Sequence, residues 1–254
     1  MCFEIDSRPP VPPIAGASAD AEDLVLRSTD GTPFAAYSAR SREPLGPAVV
    51  VMPDVRGLFR FYEELALRLA EHGYDAIAID YFGRTAGVGK RGEEFSFAEH
   101  IARTRLGSLT QDVAAAVREL RAGAGAERRP VFTIGFCFGG SNSWLQAAAG
   151  HGLAGAIGFY GHPTRAGRDG SPAAIDRVGE FECPILALMG GDDPGIPPEE
   201  VARYEEALTA AGIEGEVRVY DGAPHSFFDR RYEEHAEASA DAWARVLAFI
   251  ETHA

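Results

Sequence analysis

The sequence has little of several features that would point to particular classes of protein. Only three of its 254 residues are cysteines, Cys2, Cys137 and Cys183, and they form no C-x-x-C pair and no metal-ligand spacing. No apolar run approaches the roughly 20 residues that a membrane-spanning helix needs. The N-terminus lacks the basic stretch followed by an apolar stretch that is typical of a secretion signal. We therefore expect a cytoplasmic protein that binds no metal.

Positive charge is also scarce. The chain has 24 Lys and Arg against 38 Asp and Glu, which gives a formal net charge of −14. This charge argues against a general nucleic-acid surface and against binding to anionic membranes, so we expect neither as a partner. No Walker A motif is present. A literal G-x-G-x-x-G occurs at residues 87–92, but it neither follows a predicted strand nor opens an amphipathic helix. A surface loop explains it better than nucleotide binding does.

Apolar segments are plentiful, with 46% hydrophobic residues, so the chain can bury a sizeable core. Apolar strand patterns recur at residues 48–52, 76–79, 131–134, 154–159, 185–189 and 217–220. Helical apolar periodicity alternates with them, as in the stripe of Phe61, Leu65 and Leu69. Repeated strand–helix units predict an α/β fold with a mostly parallel sheet and helices on both faces. We expect one domain over residues 1–254, with a Pro-rich extension at 1–22 and a hairpin turning at 30–31.

The central motif is G-F-C-F-G-G at residues 135–140. It lies between a predicted strand and a helix-permissive segment, which is the setting of the nucleophile elbow G-x-S-x-G, with Cys137 in place of serine. The glycines let strand and helix approach each other, and a helix N-terminus favours a thiolate and a developing oxyanion. A lone free cysteine is more often a buried small hydrophobe. The flanking glycines and the residues described next favour a nucleophile.

A cysteine nucleophile needs a base and a group that orients the base. Elbow enzymes supply them in the chain order nucleophile, acid, histidine. Asp192 and Asp193 lie in G-G-D-D-P-G-I-P just after one predicted strand, and His225 lies in A-P-H-S-F just after the last. Taken singly, Asp193 could be a turn or capping residue and His225 an ordinary loop histidine. Their types, their order and their positions after strands together predict a triad with Cys137.

These three motifs resemble those of the dienelactone hydrolase family within the α/β-hydrolase fold, from the strand at residue 48 to the final helix. The resemblance implies a compact hydrolase without a large cap domain. It also implies roles for particular residues. Asp193 rather than Asp192 would be the acid, the N–H groups of Val55 and Phe138 would form the oxyanion hole, Asp54 would contact the resting thiol, and Arg84 would bind a substrate carboxylate.

The sequence departs from the family pattern at two positions. Asp54 stands where the archetypal member has glutamate, so this acid is one methylene shorter. Asp229 stands where that member has a second carboxylate-binding arginine, although Arg230 and Arg231 follow directly. The resemblance therefore implies the type of reaction and leaves the particular substrate open.

The implied activity is hydrolysis of ester or lactone bonds in small, carboxylate-bearing molecules through a thioester intermediate. No metal or organic cofactor is implied, and we expect a monomer or weak homodimer. A general small-ester carboxylesterase or thioesterase is the alternative. A non-catalytic hydrolase-like binding protein would not need an intact triad, and a thiol sensor would favour a resolving cysteine near Cys137 in the sequence. Both are therefore less favoured.

Overall fold

A computed structural model describes residues 3–4, 6–122 and 125–254. Within them, strands form an eight-stranded sheet in the order β1-β2-β4-β3-β5-β6-β7-β8. The first two strands pair antiparallel with each other, β2 is antiparallel to β4, and the remaining pairs are parallel. The strands are β1 (Ala19–Arg27), β2 (Pro33–Ser41), β3 (Ala48–Met52), β4 (Asp75–Ile79), β5 (Val131–Phe136), β6 (Gly155–Phe159), β7 (Ile185–Gly190) and β8 (Gly215–Tyr220).

Helices connect most of the parallel strands. They are α1 (Arg60–Glu71), α2 (Gly83–Ala86), α3 (Phe97–Ile101), α4 (Leu106–Leu120), α5 (Phe138–Gln146), α6 (Pro198–Ala210) and α7 (Ala236–His253). Two short 3-10 helices span Ala174–Glu180 and Glu233–His235. No helix of the described ranges is long and apolar enough to cross a membrane.

The helices cover both faces of the sheet. In β6, a Cβ on Gly155 would meet the ring of Phe249 in α7, whereas a Cβ on Gly158 would meet Trp144 in α5. These two glycines are three residues apart, and side chains alternate between faces along a strand, so α5 and α7 lie on opposite faces. The predicted mostly parallel sheet with helices on both faces is thereby confirmed.

The central strands are continuous apolar runs because both of their faces are covered. All five residues of β3 are buried. Val49 and Val51 belong to the apolar cluster that includes α1, while Val50 packs with Leu109 and Val113 of α4. Burying each such side chain contributes about 1.5–3 kcal/mol relative to leaving it exposed.

The N-terminal region has two parts. The β1 strand begins at Ala19, inside the extension predicted for residues 1–22, and the predicted turn at 30–31 joins it to β2. Gly31 adopts a φ of +84°, which glycine allows at little cost, and the Thr32 N–H donates to Asp30 Oδ1 over 2.9 Å. Ser7 and Val11 of the Pro-rich part are buried, so this segment lies against the body of the protein.

Candidate active site

The elbow predicted at Cys137 lies between β5 and α5. Cys137 has φ 55° and ψ −114°, a strained conformation for a residue with a Cβ. Its N–H donates to the Phe159 carbonyl over 3.0 Å, which ties the elbow to β6. The packing behind it is close: a Cβ on Gly139 would lie 2.2 Å from the Met52 carbonyl oxygen and 2.3 Å from that of Pro53. Only glycine fits there without displacing the backbone that follows β3.

The structure brings His225 and Asp193 together at the same edge of the sheet. Nδ1 of His225 lies 2.5 Å from Oδ2 of Asp193, and Oδ1 of Asp193 accepts the Gly195 N–H over 2.8 Å. Asp193 is 6% exposed, whereas the neighbouring Asp192 is exposed to solvent. Of the two adjacent aspartates, Asp193 is therefore the one whose carboxylate orients the imidazole.

The electrostatics of this pair favour a charged imidazole. Burial alone would lower the pKa of His225, but hydrogen bonds to Asp193 and Cys137 outweigh it and raise that pKa to about 9. Burial would raise the pKa of Asp193, yet the hydrogen bond from His225 holds it below its ordinary value. Since Nδ1 is used by Asp193, Nε2 is the ring nitrogen left for Cys137. The arrangement can support an imidazolium beside a cysteine thiolate.

Backbone strain is concentrated around these residues. In the described ranges, the non-glycine residues with a positive φ are Cys137, Tyr160 (φ 36°) and Ser226 (φ 60°). Tyr160 packs its ring against His225 with a centroid distance of 4.9 Å, and Ser226 follows that histidine directly. Such conformations persist where the surrounding structure holds them, and they cluster at functional sites.

Cys137 and His225 both line a cavity of about 250 Å³. Val55 and Phe138, the two residues predicted to supply oxyanion-hole N–H groups, line it as well. The other walls come from α3, α4, α5, a loop at residues 162–172 and the segment before α6, and they include the apolar side chains of Leu106, Leu109, Leu145 and Ile196. A largely apolar pocket with a few convergent polar groups suits a small organic molecule.

Asp54 is buried just after β3 but does not line this cavity. Its carboxylate accepts hydrogen bonds from Arg56, at 2.7 Å from Nη2 and 3.2 Å from Nε, and its N–H donates to the Tyr62 hydroxyl over 2.9 Å. The predicted contact between Asp54 and the resting thiol stays a prediction. Because the Arg56 guanidinium is paired with the carboxylate, Asp54 would repel a thiolate less than an unpaired carboxylate would.

Arg84 is not placed where its predicted role requires. It does not line the cavity. Its guanidinium donates to both carboxylate oxygens of Asp112 at 2.7 and 2.8 Å, to Asp30 at 3.0 Å and to the Ser28 hydroxyl at 2.7 Å. With these partners it joins α2 and α4 to the β1–β2 turn, so the structure does not support carboxylate binding by Arg84.

Other arginines were missed as candidates. Arg165 and Arg168 line the cavity from the 162–172 loop and are exposed. Arg91, in the glycine-rich segment interpreted as a surface loop, is 8% exposed and forms a buried ion pair with Asp80 at 2.7 Å. Their roles depend on which distant segments meet in the fold, and no local motif marks them.

The loop that carries these cavity arginines is tied to α4, which also lines the cavity. Asp169 Oδ2 accepts the N–H of Leu106, the first residue of α4, over 2.9 Å. The other oxygen of this carboxylate accepts from the N–H and the hydroxyl of Ser171, at 3.1 and 2.6 Å. A carboxylate at a helix N-terminus is electrostatically favourable, and here it holds the 162–172 loop over the cavity. The D-G-S sequence at 169–171 indicates a turn but not its partner.

A second histidine lines the same cavity. His162 has its Nδ1 3.5 Å from Glu200 Oε2 and lies beside Arg165. Burial, together with the positive charge of Arg165, lowers the pKa of His162, which favours the neutral ring at neutral pH. The pKa of His225 is instead raised, so His225 is the more basic of the two rings.

The fold and this arrangement of elbow, acid and histidine define an α/β-hydrolase. Over residues 34–254 the chain matches the model of the dienelactone hydrolase family, so it belongs to that family and is a carboxylic ester hydrolase of the dienelactone hydrolase type. It is 31% identical over 236 residues to the "Putative carboxymethylenebutenolidase" of Escherichia coli (strain K12), covering 89% of this chain and 84% of that one. It is 29% identical to the "Carboxymethylenebutenolidase" of Rhodococcus opacus, over 100% and 97% of the two chains.

A solved structure agrees with this assignment. The "Putative Dienelactone Hydrolase" from Klebsiella pneumoniae subsp. pneumoniae superposes with a TM-score of 0.81 at 29% identity, covering 92% of this chain and 99% of that one. The coverage is nearly complete on both sides, and no large cap is evident in the described residues. The expected α/β-hydrolase fold without a large cap is confirmed.

Proposed function

We propose that Cys137, His225 and Asp193 form a catalytic triad that hydrolyses ester or lactone bonds of small substrates through a thioester. The observation that carries this proposal is the 2.5 Å contact between His225 and Asp193, with His225 also hydrogen-bonded to Cys137 at a strained elbow. Nucleophile, base and orienting acid follow the logic shared by all such triads. The cavity supplies space for a small substrate directly at the thiol.

The reaction begins when the Cys137 thiolate attacks the substrate carbonyl carbon. The carbonyl π electrons move to oxygen, and the N–H groups of Val55 and Phe138 hold that oxyanion, at about 3 kcal/mol per donor in comparable sites. The tetrahedral intermediate collapses as the C–O bond to the leaving alkoxide breaks, and Nε2 of imidazolium His225 donates its proton to that oxygen. The product of this half-reaction is an alcohol, or the opened end of a lactone, and a thioester on Cys137.

Water completes the cycle. His225, now neutral, removes a proton from a water molecule that attacks the thioester carbonyl. Collapse of the second intermediate breaks the C–S bond and regenerates the thiolate beside the imidazolium. Asp193 keeps the imidazole in position throughout and stabilises its charged form.

We further propose that the substrate carries a carboxylate, bound by Arg165 or Arg168 rather than by Arg84. Both arginines line the cavity, and a guanidinium can hold a carboxylate with two parallel hydrogen bonds. The net charge of −14 does not oppose this, because exposed charges beyond about 8 Å are largely screened at physiological salt. The names of the carboxymethylenebutenolidase relatives also support an ester or lactone of this class.

Turnover of p-nitrophenyl acetate tests the triad. We expect Cys137→Ala and His225→Ala each to abolish most of it, and the double variant to be little worse because the groups act as a unit. Cys183→Ala is the matched control, since Cys183 is buried and does not line the cavity. Wild-type protein that binds small esters without turning them over would instead be a binding protein. Activity lost on oxidation and fully restored by a thiol reductant would favour a sensor.

A pair of substrates tests the carboxylate. We compare kcat/KM for a carboxylate-bearing ester and its neutral analogue in wild type, in Arg165→Ala/Arg168→Ala and in Arg84→Ala. The proposal predicts that a preference worth about 1–3 kcal/mol disappears in the double variant and survives in Arg84→Ala. Equal wild-type activity on both substrates would leave a general small-ester hydrolase, and loss only in Arg84→Ala would return the role to that residue.

A further inference from the structure

The N-terminal segment packs against aromatic residues that flank the proposed site. Phe3 is 2% exposed. Its ring stacks on Phe61 of α1 with a centroid distance of 3.9 Å, and three further aromatic rings surround it. These are Tyr160 at 6.2 Å, Phe136 at 6.3 Å and Tyr62 at 6.5 Å. A residue far from the triad in sequence therefore completes an aromatic cluster below it.

Each of those rings touches a different part of the site. Phe136 is the last residue of β5 and precedes Cys137 directly. Tyr160 packs against the ring of His225 at 4.9 Å. Tyr62 accepts the N–H of Asp54, in the loop that also carries Val55. Phe3 thus contacts one ring beside the nucleophile, one beside the base and one beside the loop of the predicted oxyanion hole.

The backbone of Phe3 reaches the same loop by a polar contact. Its carbonyl oxygen accepts a hydrogen bond from the guanidinium of Arg56, the group that also holds the buried Asp54 carboxylate. The chain next crosses to the loop after His225. There Asp6 pairs with Arg231 at 2.8 Å, and the Arg8 carbonyl accepts the Arg230 N–H over 3.3 Å. Arg8 also pairs with Glu64 of α1 at 2.9 Å.

We propose that this segment, named here the N-terminal strap (Phe3, Asp6, Ser7 and Arg8), holds the triad and the oxyanion loop in register, with Phe3 as its main positioning residue. The inference rests on the proposed triad. Phe3 does not line the cavity, so its effect falls on the alignment of Cys137 and His225 rather than on substrate contacts. A displacement of about 1 Å in reacting groups can cost roughly 100-fold in rate. Removing the Phe3 ring, which contacts both Phe136 and Tyr160, therefore has a large effect on the rate.

The test compares Phe3→Ala with Phe249→Ala in the full chain. Phe249 is a buried ring on α7 that packs on Phe132 near the amino end of β5, whereas Phe136 lies at the carboxyl end of that strand. We expect Phe3→Ala to lower kcat for p-nitrophenyl acetate roughly tenfold or more, with KM within about twofold of wild type. The rate of Cys137 alkylation by iodoacetamide, measured against pH, should shift in the same variant. Phe249→Ala should lose stability and leave kcat and the alkylation profile unchanged.

A folded Phe3→Ala variant with wild-type kcat and alkylation profile would overturn the proposal and make Phe3 an ordinary core residue. Should Phe3→Ala fail to fold, Phe3→Leu is judged by the same two readouts, since leucine keeps most of the buried volume but not the ring stack. Equal loss of kcat in Phe249→Ala would also overturn it, because the effect would then follow general stability. If wild type shows no ester turnover, the proposed function fails, while alkylation of Cys137 still tests the strap.

Discussion

Replacing Asp193 with asparagine removes the charge that stabilises protonated His225 while keeping nearly the same shape. The pKa of His225 rises from its ordinary 6.5 to about 9 in the folded protein, although burial opposes this rise. At 1.36 kcal/mol per pKa unit, the environment favours the imidazolium by about 3 kcal/mol. Hydrogen bonds and negative charge from both Asp193 and Cys137 supply it. We therefore expect kcat/KM to fall by roughly 10- to 100-fold in Asp193→Asn.

The assay is kcat/KM for p-nitrophenyl acetate between pH 6 and pH 10. In the proposed mechanism a protonated His225 delivers a proton to the leaving group, so the wild-type alkaline limb should fall near pH 9. In Asp193→Asn that limb should move to lower pH, because His225 has a lower pKa without the carboxylate and loses its proton at lower pH. Asp192→Asn is the matched control; its side chain is exposed, and we expect activity within about twofold of wild type. A larger loss in Asp192→Asn, or an unmoved alkaline limb in Asp193→Asn, would refute the reasoning.

Three further predictions concern the nucleophile, the elbow and pH stability. Cys137→Ser should be much slower on an activated ester, since a hydroxyl needs more base assistance than a thiol; wild-type turnover would contradict the thiolate mechanism. Gly139→Ala should cost about 1–3 kcal/mol of unfolding free energy in urea, because its Cβ would collide with two backbone carbonyls, whereas Gly107→Ala, in open space on α4, should be neutral or stabilising; equal effects would contradict the packing argument. Because its pKa is raised, His225 contributes stability that is fully present below pH 6.5 and is lost as pH rises through about 9. Wild type should therefore lose more unfolding free energy than His225→Gln between pH 6 and pH 10. Parallel losses in the two proteins would contradict this prediction.

The sequence was informative about the fold because the relevant signals are local. Continuous apolar runs such as residues 48–52 indicate strands covered on both faces, and helical stripes between them require parallel connections. The same logic placed Cys137, Asp193 and His225 at one edge, since each follows a strand and the carboxyl ends of parallel strands meet there. In the structure, His225 and Asp193 are in contact at this edge, and Cys137 lines the cavity beside His225.

The structure was needed to identify side chains that pair with residues from distant segments. Arg84 lies in a stretch that resembles a substrate-binding segment, yet its guanidinium is used by Asp112, 28 residues away, and by Asp30, 54 residues away. An ion pair forms where burial and distance make it favourable, and the neighbouring residues in the sequence predict neither. The cavity arginines, Arg165 and Arg168, could not be selected for the same reason.

The sequence by itself determined the parallel strands, the elbow turn and the chain order of the proposed triad, because strand period, glycine positions and chain order are properties of neighbouring residues. Only the tertiary structure decided what surrounds the triad. It showed that Asp193 is buried against His225 while Asp192 is exposed, which agrees with the choice that the family resemblance implied. It also brought Phe3, from the far end of the chain, against Phe136 and Tyr160. Contacts of this kind depend on how the packed layers close over one another, which no short stretch of sequence encodes.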